Sequence, residues 1–428
     1  MRATRTINVV LATVAALGIA ACGSSDGSAP PPTTSAATAA ADGLTVVEDG
    51  LDPATSQALA EAAATSFDET SAPGAVVAVR TADGTWLATV GHQDWDRTEP
   101  MTADVNQRVG SVTKTFTVTA LLQLAEQGLL SLDDPIDAYV QGVPNGFATL
   151  RELAEMRSGI PSYTFSDAFQ QALFSDPDHV FTPQELVDFV AGEPPMFEPG
   201  TMTFYSNTNT VLLGMVIEQV TGTPIAEVMD EQIIGPLGLS HTLMPDDATY
   251  PEPHPHGYTM QGVDGDQPSD ATDWNPSWGW TAGAMISDVD DLLAWGEALG
   301  TGEGILSAEA QAERLSSFDF DIPVYTGPGT TAPQTPARAY GMGLGLALGW
   351  YGHEGELPGF NTYVQHHAES GTTLVVMVNA DIFSGSGCTE GQATVPSNPG
   401  IGPCRSPASR IGVALAAALG TPLEEPAG

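Results

Sequence analysis

The chain has 428 residues, with 12 basic against 53 acidic side chains for a formal charge of −41, and 42% of its residues are hydrophobic. Such a composition folds around a large core instead of staying disordered. So strong an acidic excess repels phosphate backbones and anionic headgroups, which argues against nucleic acid as a partner.

At the N-terminus, Arg2 and Arg5 precede an apolar run over residues 7–21, too short to span a bilayer but of the length of a secretory signal core. The run ends in Ile19-Ala20-Ala21-Cys22 before a polar stretch, which resembles a bacterial lipoprotein signal. Removal of residues 1–21 is expected, with a lipid on Cys22 holding the chain on the outer face of the cytoplasmic membrane. Residues 22–43 are rich in Ser, Pro, Ala and Thr without hydrophobic periodicity, the pattern of a flexible tether. Of the three cysteines, assigning Cys22 to lipid leaves Cys388 and Cys404 to form a disulfide in an oxidising compartment.

Residues 52–68 have a helical start and Ala/Leu spacing, and residues 74–93 read as two strands joined by an Asp83-Gly84 turn. From 112 to 310 the apolar residues recur mostly at i, i+3 and i+4, the period of helices. Two further strands are expected at 359–367 and 372–380, then a helix over 409–420. The fold class is α+β, an antiparallel sheet shared by the two ends of the chain, flanked by the N- and C-terminal helices and carrying a largely helical insertion. The folded domain is placed at 44–420, with 421–428 as a tail.

Lysine occurs once, in the stretch Gly110-Ser111-Val112-Thr113-Lys114. Ser111 and Lys114 stand at i and i+3, one face of a helix beginning near Gly110, whose N-terminal N–H groups can meet a developing oxyanion. A desolvated lysine with a lowered pKa can take the proton of a serine hydroxyl. As a residue of an open cleft, Lys114 is expected to contribute little to stability. Two later stretches join it: Tyr205-Ser206-Asn207 ahead of an apolar helix, and His353-Glu354-Gly355 opening a strand-like segment. Taken singly, Tyr205 reads equally as a core aromatic, Asn207 as a helix cap and His353 as a solvated strand residue.

With these three motifs in order, the chain resembles the serine β-lactamase and penicillin-binding superfamily over roughly residues 45–420. The branch it resembles contains class C β-lactamases, D-alanyl-D-alanine carboxypeptidases and related esterases. That resemblance implies a β-lactamase/transpeptidase-like fold, with Ser111 as acylated nucleophile, Lys114 as its base partner and Tyr205 trading protons with Ser111 and the leaving group. It implies that Asn207 binds the acyl-side amide and that His353 and Gly355 line the substrate-binding edge. The backbone N–H groups of Ser111 and Glu356 would form the oxyanion hole. The third motif departs from the Lys-Thr-Gly of class C β-lactamases. A Glu354 side chain pointing into the subsite for a free substrate carboxylate would face like charge, so ester, amide or peptide substrates are expected ahead of β-lactams.

No metal-ligand spacing and no dinucleotide or phosphate-loop fingerprint occurs, so neither metal nor cofactor is expected; His254/His256 and His366/His367 read as exposed pairs. The cluster of Trp274, Trp278 and Trp280 reads either as an aromatic wall beside the cleft or as packing between domains. The sequence reading is thus an exported serine hydrolase acting on a small-molecule, peptide or ester substrate. Its alternative is a binding lipoprotein that keeps the fold without turnover.

Overall fold

The computed structural model describes residues 43–388, 392–395 and 402–424. The expected signal segment, Cys22, the tether up to Asp42 and the last four residues lie outside them. Eight strands form one antiparallel sheet: β1 (Leu44–Asp49), β2 (Gly74–Thr81), β3 (Gly84–Gly91), β4 (Ala339–Tyr340), β5 (Gly345–Ala347), β6 (Trp350–Leu357), β7 (Phe360–His367) and β8 (Thr372–Val378). Their spatial order is β1-β3-β2-β8-β7-β6-β5-β4. β2 from the first hairpin pairs with β8 from the last, Val77 opposite Val376, which joins the two ends of the chain in the middle of the sheet.

Both faces of that centre are covered, so β8 is buried along its whole length and reads as an unbroken apolar run. Ala75, Val77 and Val79 face one core with Leu374, Val376 and Val378, under α1 (Pro53–Asp68) and the C-terminal helix. Val76, Ala78, Val375 and Met377 face the larger core of the helical region. Asp52 starts α1 by accepting from the N–H groups of Ala54 and Thr55, with Pro53 in the first turn where a missing N–H costs nothing. The hairpin turn falls one residue earlier than read, since Thr81 pairs directly with Gly84.

In the helical region α2 (Thr113–Glu126) runs through the core, with Thr113 to Leu122 all buried. Its threonines are tolerated there because their hydroxyls donate back to the helix: Thr115 to Val112 O at 2.6 Å and Thr119 to Thr115 O at 2.7 Å. α3 (Asn207–Thr221) and α4 (Val289–Thr301) pack around it, and α5 (Pro407–Ala418) closes the opposite face of the sheet. Trp278 is buried at 6.1 Å from Phe169 between ring centroids, and Trp274 lies 6.2 Å from Phe174, so these two tryptophans pack against the segment carrying those phenylalanines.

Two local expectations are corrected. His353-Glu354-Gly355 does not open a strand; it lies in the middle of β6, which starts at Trp350. His366 and His367 are not exposed but buried, with Nδ1 of His366 2.9 Å from the Thr373 hydroxyl oxygen across the ladder. Cys388 and Cys404 are joined by a disulfide, their Cα atoms 4.8 Å apart.

Candidate active site

Ser111 sits in a single 3-10 turn, Gly110–Val112, that leads straight into α2. The turn is pressed against β6. Gly110 has a φ of +53°, and a Cβ there would lie 2.6 Å from the backbone N of Glu356. A Cβ on Gly355 would lie 3.3 Å from the backbone N of Ser111 and would collide with the carbonyl oxygen of Val109. Glycine at both positions is what lets strand and turn meet backbone to backbone, with the amides of Ser111 and Glu356 beside one another.

Lys114 follows one turn on and is fully buried, which corrects the expectation of a cleft-exposed side chain. Its Nζ lies 2.8 Å from Ser111 Oγ and 2.6 Å from the carbonyl oxygen of Ala282, to which it donates. Burial alone pulls its pKa well below the ordinary lysine value. In its neutral form the amine donates to Ala282 O and keeps a lone pair that can accept the Ser111 hydroxyl proton across the 2.8 Å contact.

Tyr205 arrives from the extended segment before α3, with its hydroxyl on the Ser111 side. Its ring centroid is 4.9 Å from Lys114 Nζ. Burial raises the phenol's pKa, reinforced by Glu354 and Glu356 and opposed by the Ser111 side chain, so phenolate is the disfavoured form. Ser111, Lys114 and Tyr205, up to 94 residues apart in the chain, are thus brought to one point.

Asn207 is the first residue of α3 and not its cap, which is Ser206. Its Nδ2 donates to Thr164 Oγ1 at 3.1 Å and its backbone N to Ser162 Oγ at 3.0 Å. The segment Ser162–Thr164 therefore orients the second motif; no periodicity in the sequence marked it. His353 is buried, with its ring 6.0 Å from that of Tyr205. Desolvation, with Lys114 nearby, lowers its pKa to about 3, so it is neutral at any working pH.

Glu354 does not reach this site. Alternation along β6 turns it to the other face of the sheet. There it accepts from Ser406, the residue capping α5, and from Asn361 Nδ2 at 3.3 Å. A helix N-terminus is a favourable place for a carboxylate. The like-charge argument against β-lactams therefore loses its geometric basis.

Glu356 lies partly buried on that same face, next to Gln261 and Asp381. Gln261 Nε2 donates to Asp381 Oδ2 at 2.5 Å, and Thr259 Oγ1 does so at 3.0 Å. Among the described residues, Glu356 Oε2 and Asp381 Oδ1 find no hydrogen-bond partner. Burial raises both carboxyls, Asp381 to about 7. Among the described residues no group of three or more His, Cys, Asp or Glu side chains is placed to hold a metal ion.

An antiparallel sheet with a helical insertion, and a serine seated in the turn that leads into a buried helix, beside a lysine, are the architecture and site of the serine hydrolases with the β-lactamase fold. A model of the family described as "Beta-lactamase" matches residues 55–394, and the chain belongs to that family. It is 35% identical to a D-stereospecific amidohydrolase from a Streptomyces species, whose structure superposes with a TM-score of 0.66 over 78% of this chain and 95% of that one. It is 29% identical to the D-amino acid amidase of Ochrobactrum anthropi SV3, solved with L-phenylalanine amide, with a TM-score of 0.63 over 76% of this chain and 90% of that one.

A D-aminopeptidase of Brucella anthropi is 30% identical over 315 residues, 72% of this chain and 56% of that protein. The putative penicillin-binding protein PbpX of Bacillus subtilis is 29% identical over 272 residues, 63% of this chain and 60% of that protein. The chain spans less than two thirds of the length of either of these two sequence relatives.

Proposed function

We propose that the protein hydrolyses amides through an acyl-enzyme on Ser111, with amides and short peptides of D-amino acids as the substrate class. The observation that carries the reading is the contact between the only lysine, desolvated, and the Ser111 hydroxyl at 2.8 Å. The names of the amidohydrolase, amidase and aminopeptidase relatives support the substrate class.

Neutral Lys114 takes the Ser111 proton as Oγ forms a bond to the carbonyl carbon. The oxygen that gains the electron pair turns towards the backbone amides of Ser111 and Glu356. On collapse the C–N bond breaks, the departing amine receives the Tyr205 hydroxyl proton, and Lys114 returns its proton to Tyr205. Water then adds to the ester by the same steps reversed, releasing the carboxylic acid and restoring Ser111. Asn207 holds the acyl side of the substrate in this reading. Lys114 is the resting base because burial disfavours the Tyr205 phenolate and His353 adds no positive charge to stabilise it.

Export and lipid attachment at Cys22 are part of the proposal; the basic start, the apolar run and the small residues before Cys22 support them. The test is a panel of D- and L-phenylalanine amide, a p-nitrophenyl ester, nitrocefin and a D-Ala-D-Ala peptide, with Ser111→Ala as control. Hydrolysis of the D-amide, together with a Ser111 adduct by mass spectrometry after a fluorophosphonate probe, is the expected result. No turnover of any substrate and no adduct would instead leave the fold as a binding module.

A further inference from the structure

Tyr340 belongs to none of the three motifs, yet it stands against two of them. Its ring is edge-on to Tyr205 at 5.7 Å and to His353 at 5.6 Å, and its hydroxyl oxygen lies 3.0 Å from Nε2 of His353. The other imidazole nitrogen, Nδ1, is 2.5 Å from the carbonyl oxygen of Glu354. A carbonyl oxygen only accepts, so Nδ1 carries the hydrogen; Nε2 then holds a lone pair, and the phenol of Tyr340 is its donor. Burial keeps Tyr340 a phenol by raising its pKa well above the ordinary value.

The tyrosine is itself clamped. Its backbone N–H donates to Gln334 Oε1 at 2.8 Å, while Gln334 Nε2 donates to Thr203 Oγ1 at 3.2 Å and to the carbonyl oxygens of Asp319 and Ile322. Thr203 is two residues ahead of Tyr205, so one buried amide ties Tyr340 to the segment that delivers the phenol of the active site. The charged and titratable groups around His353 are few. Lys114 from α2 and Tyr205 ahead of α3 share its face, and Glu354 beside it points the other way. Behind Tyr340 lies Arg314, whose Nε donates to Met342 O and whose Nη2 donates to Thr115 O and Thr119 Oγ1, while its buried Nη1 has no partner among the described residues.

We propose that Tyr340 is a positioning and specificity-determining residue: by donating to Nε2 it fixes His353 as the uncharged Nδ1–H tautomer, so the leaving-group edge of β6 presents no cation. A substrate whose departing amine carries a free carboxylate then finds no counter-charge there, while a plain amide or an ester loses nothing. The specificity half rests on the amide-hydrolase reading above; the tautomer half does not.

Two measurements on the full folded chain separate these. Nitrogen-15 spectra of the imidazoles, with His353→Gln to assign the signal among eight histidines, report tautomer and titration in the resting protein. Expected are an Nδ1–H ring without titration between about pH 5 and about pH 8 in the wild type, and in Tyr340→Phe a midpoint raised from about 3 into that window, by at least about two and a half units. An Nε2–H ring in the wild type, or an unchanged midpoint in the variant, overturns the proposal; the wild-type spectrum decides even if the variant misfolds.

The kinetic arm compares kcat/KM for D-phenylalanine amide with that for D-phenylalanyl-D-alanine. In the wild type the preference for the amide is the same at about pH 5.5 and about pH 8; in Tyr340→Phe it falls about tenfold at the lower pH, where the freed imidazole takes a proton. A preference identical in both proteins refutes the specificity role. Failure of every substrate with the expected tautomer present refutes the amide-hydrolase reading and, with it, the specificity half alone.

Discussion

Gly355 lies against Val109 with no room for a methyl group between them: a Cβ at 355 would overlap the Val109 carbonyl oxygen. The contact sets how far β6 stands from the turn carrying Ser111, and hence how far apart the amides of Ser111 and Glu356 are. Gly355→Ala should therefore push strand and turn apart. The expected loss is on the order of 10²-fold or more in kcat, the scale of removing one oxyanion donor, with destabilisation of about 1–3 kcal/mol from the forced shift. Kinetics together with a urea melt check it, and a variant with wild-type kcat would show that the two amides do not act as a pair.

Lys114 has a structural as well as a chemical position, because it is buried and supplies the donor for Ala282 O. Lys114→Ala should abolish acylation and also leave that carbonyl unpaired beside a cavity, costing about 1–3 kcal/mol. Lys114→Met refills the volume without the amine, so it should recover part of the melting temperature and none of the acylation. Adduct formation by mass spectrometry and thermal melts of both variants separate the two contributions. Acylation surviving in either would remove Lys114 from the role of base.

The same burial sets the pH profile. A base must be neutral, so activity is present above the folded pKa of Lys114 and lost as pH falls through it. Because burial draws that pKa well below the ordinary lysine value, the acid limb of kcat/KM should fall far below the range of a solvated lysine. His353, at about 3, should leave no limb of its own near neutrality. A profile rising only at strongly alkaline pH would contradict the desolvated site.

The parts legible in sequence were those with a local signature. The hairpins, the terminal helices and the Ser111–Lys114 spacing each follow from a period or a turn within about twenty residues. What escaped depended on long-range packing. β4 has two residues and β5 three, too short for alternation to show, yet they bring Tyr340 to His353. The burial of Lys114 was equally hidden, because α2 is covered on every side and so lacks the polar stripe that distinguishes a surface helix. The orientation of Glu354 stayed open in the sequence because it depends on the strand's phase, which a triplet alone does not carry.

That phase also puts Glu356 and Asp381 together behind the oxyanion edge, which makes stability depend on pH. Asp381 has its folded pKa raised from 3.8 to about 7, so the folded state holds a proton that the unfolded state has already lost. Stability is then greatest with the carboxyl protonated, declines as pH rises from about 4 to about 7, and is lower and level above that. Glu356, raised in the same sense by burial and by Asp381, adds to the decline. Asp381→Asn keeps the size and cannot ionise, so above pH ~7 it should gain stability over the wild type, at most a few kcal/mol, with little difference near pH ~4. Denaturant melts of both proteins across that window measure the slope directly. If the two curves run parallel, Asp381 titrates as an ordinary carboxylate and the pair is stabilised by something other than a retained proton.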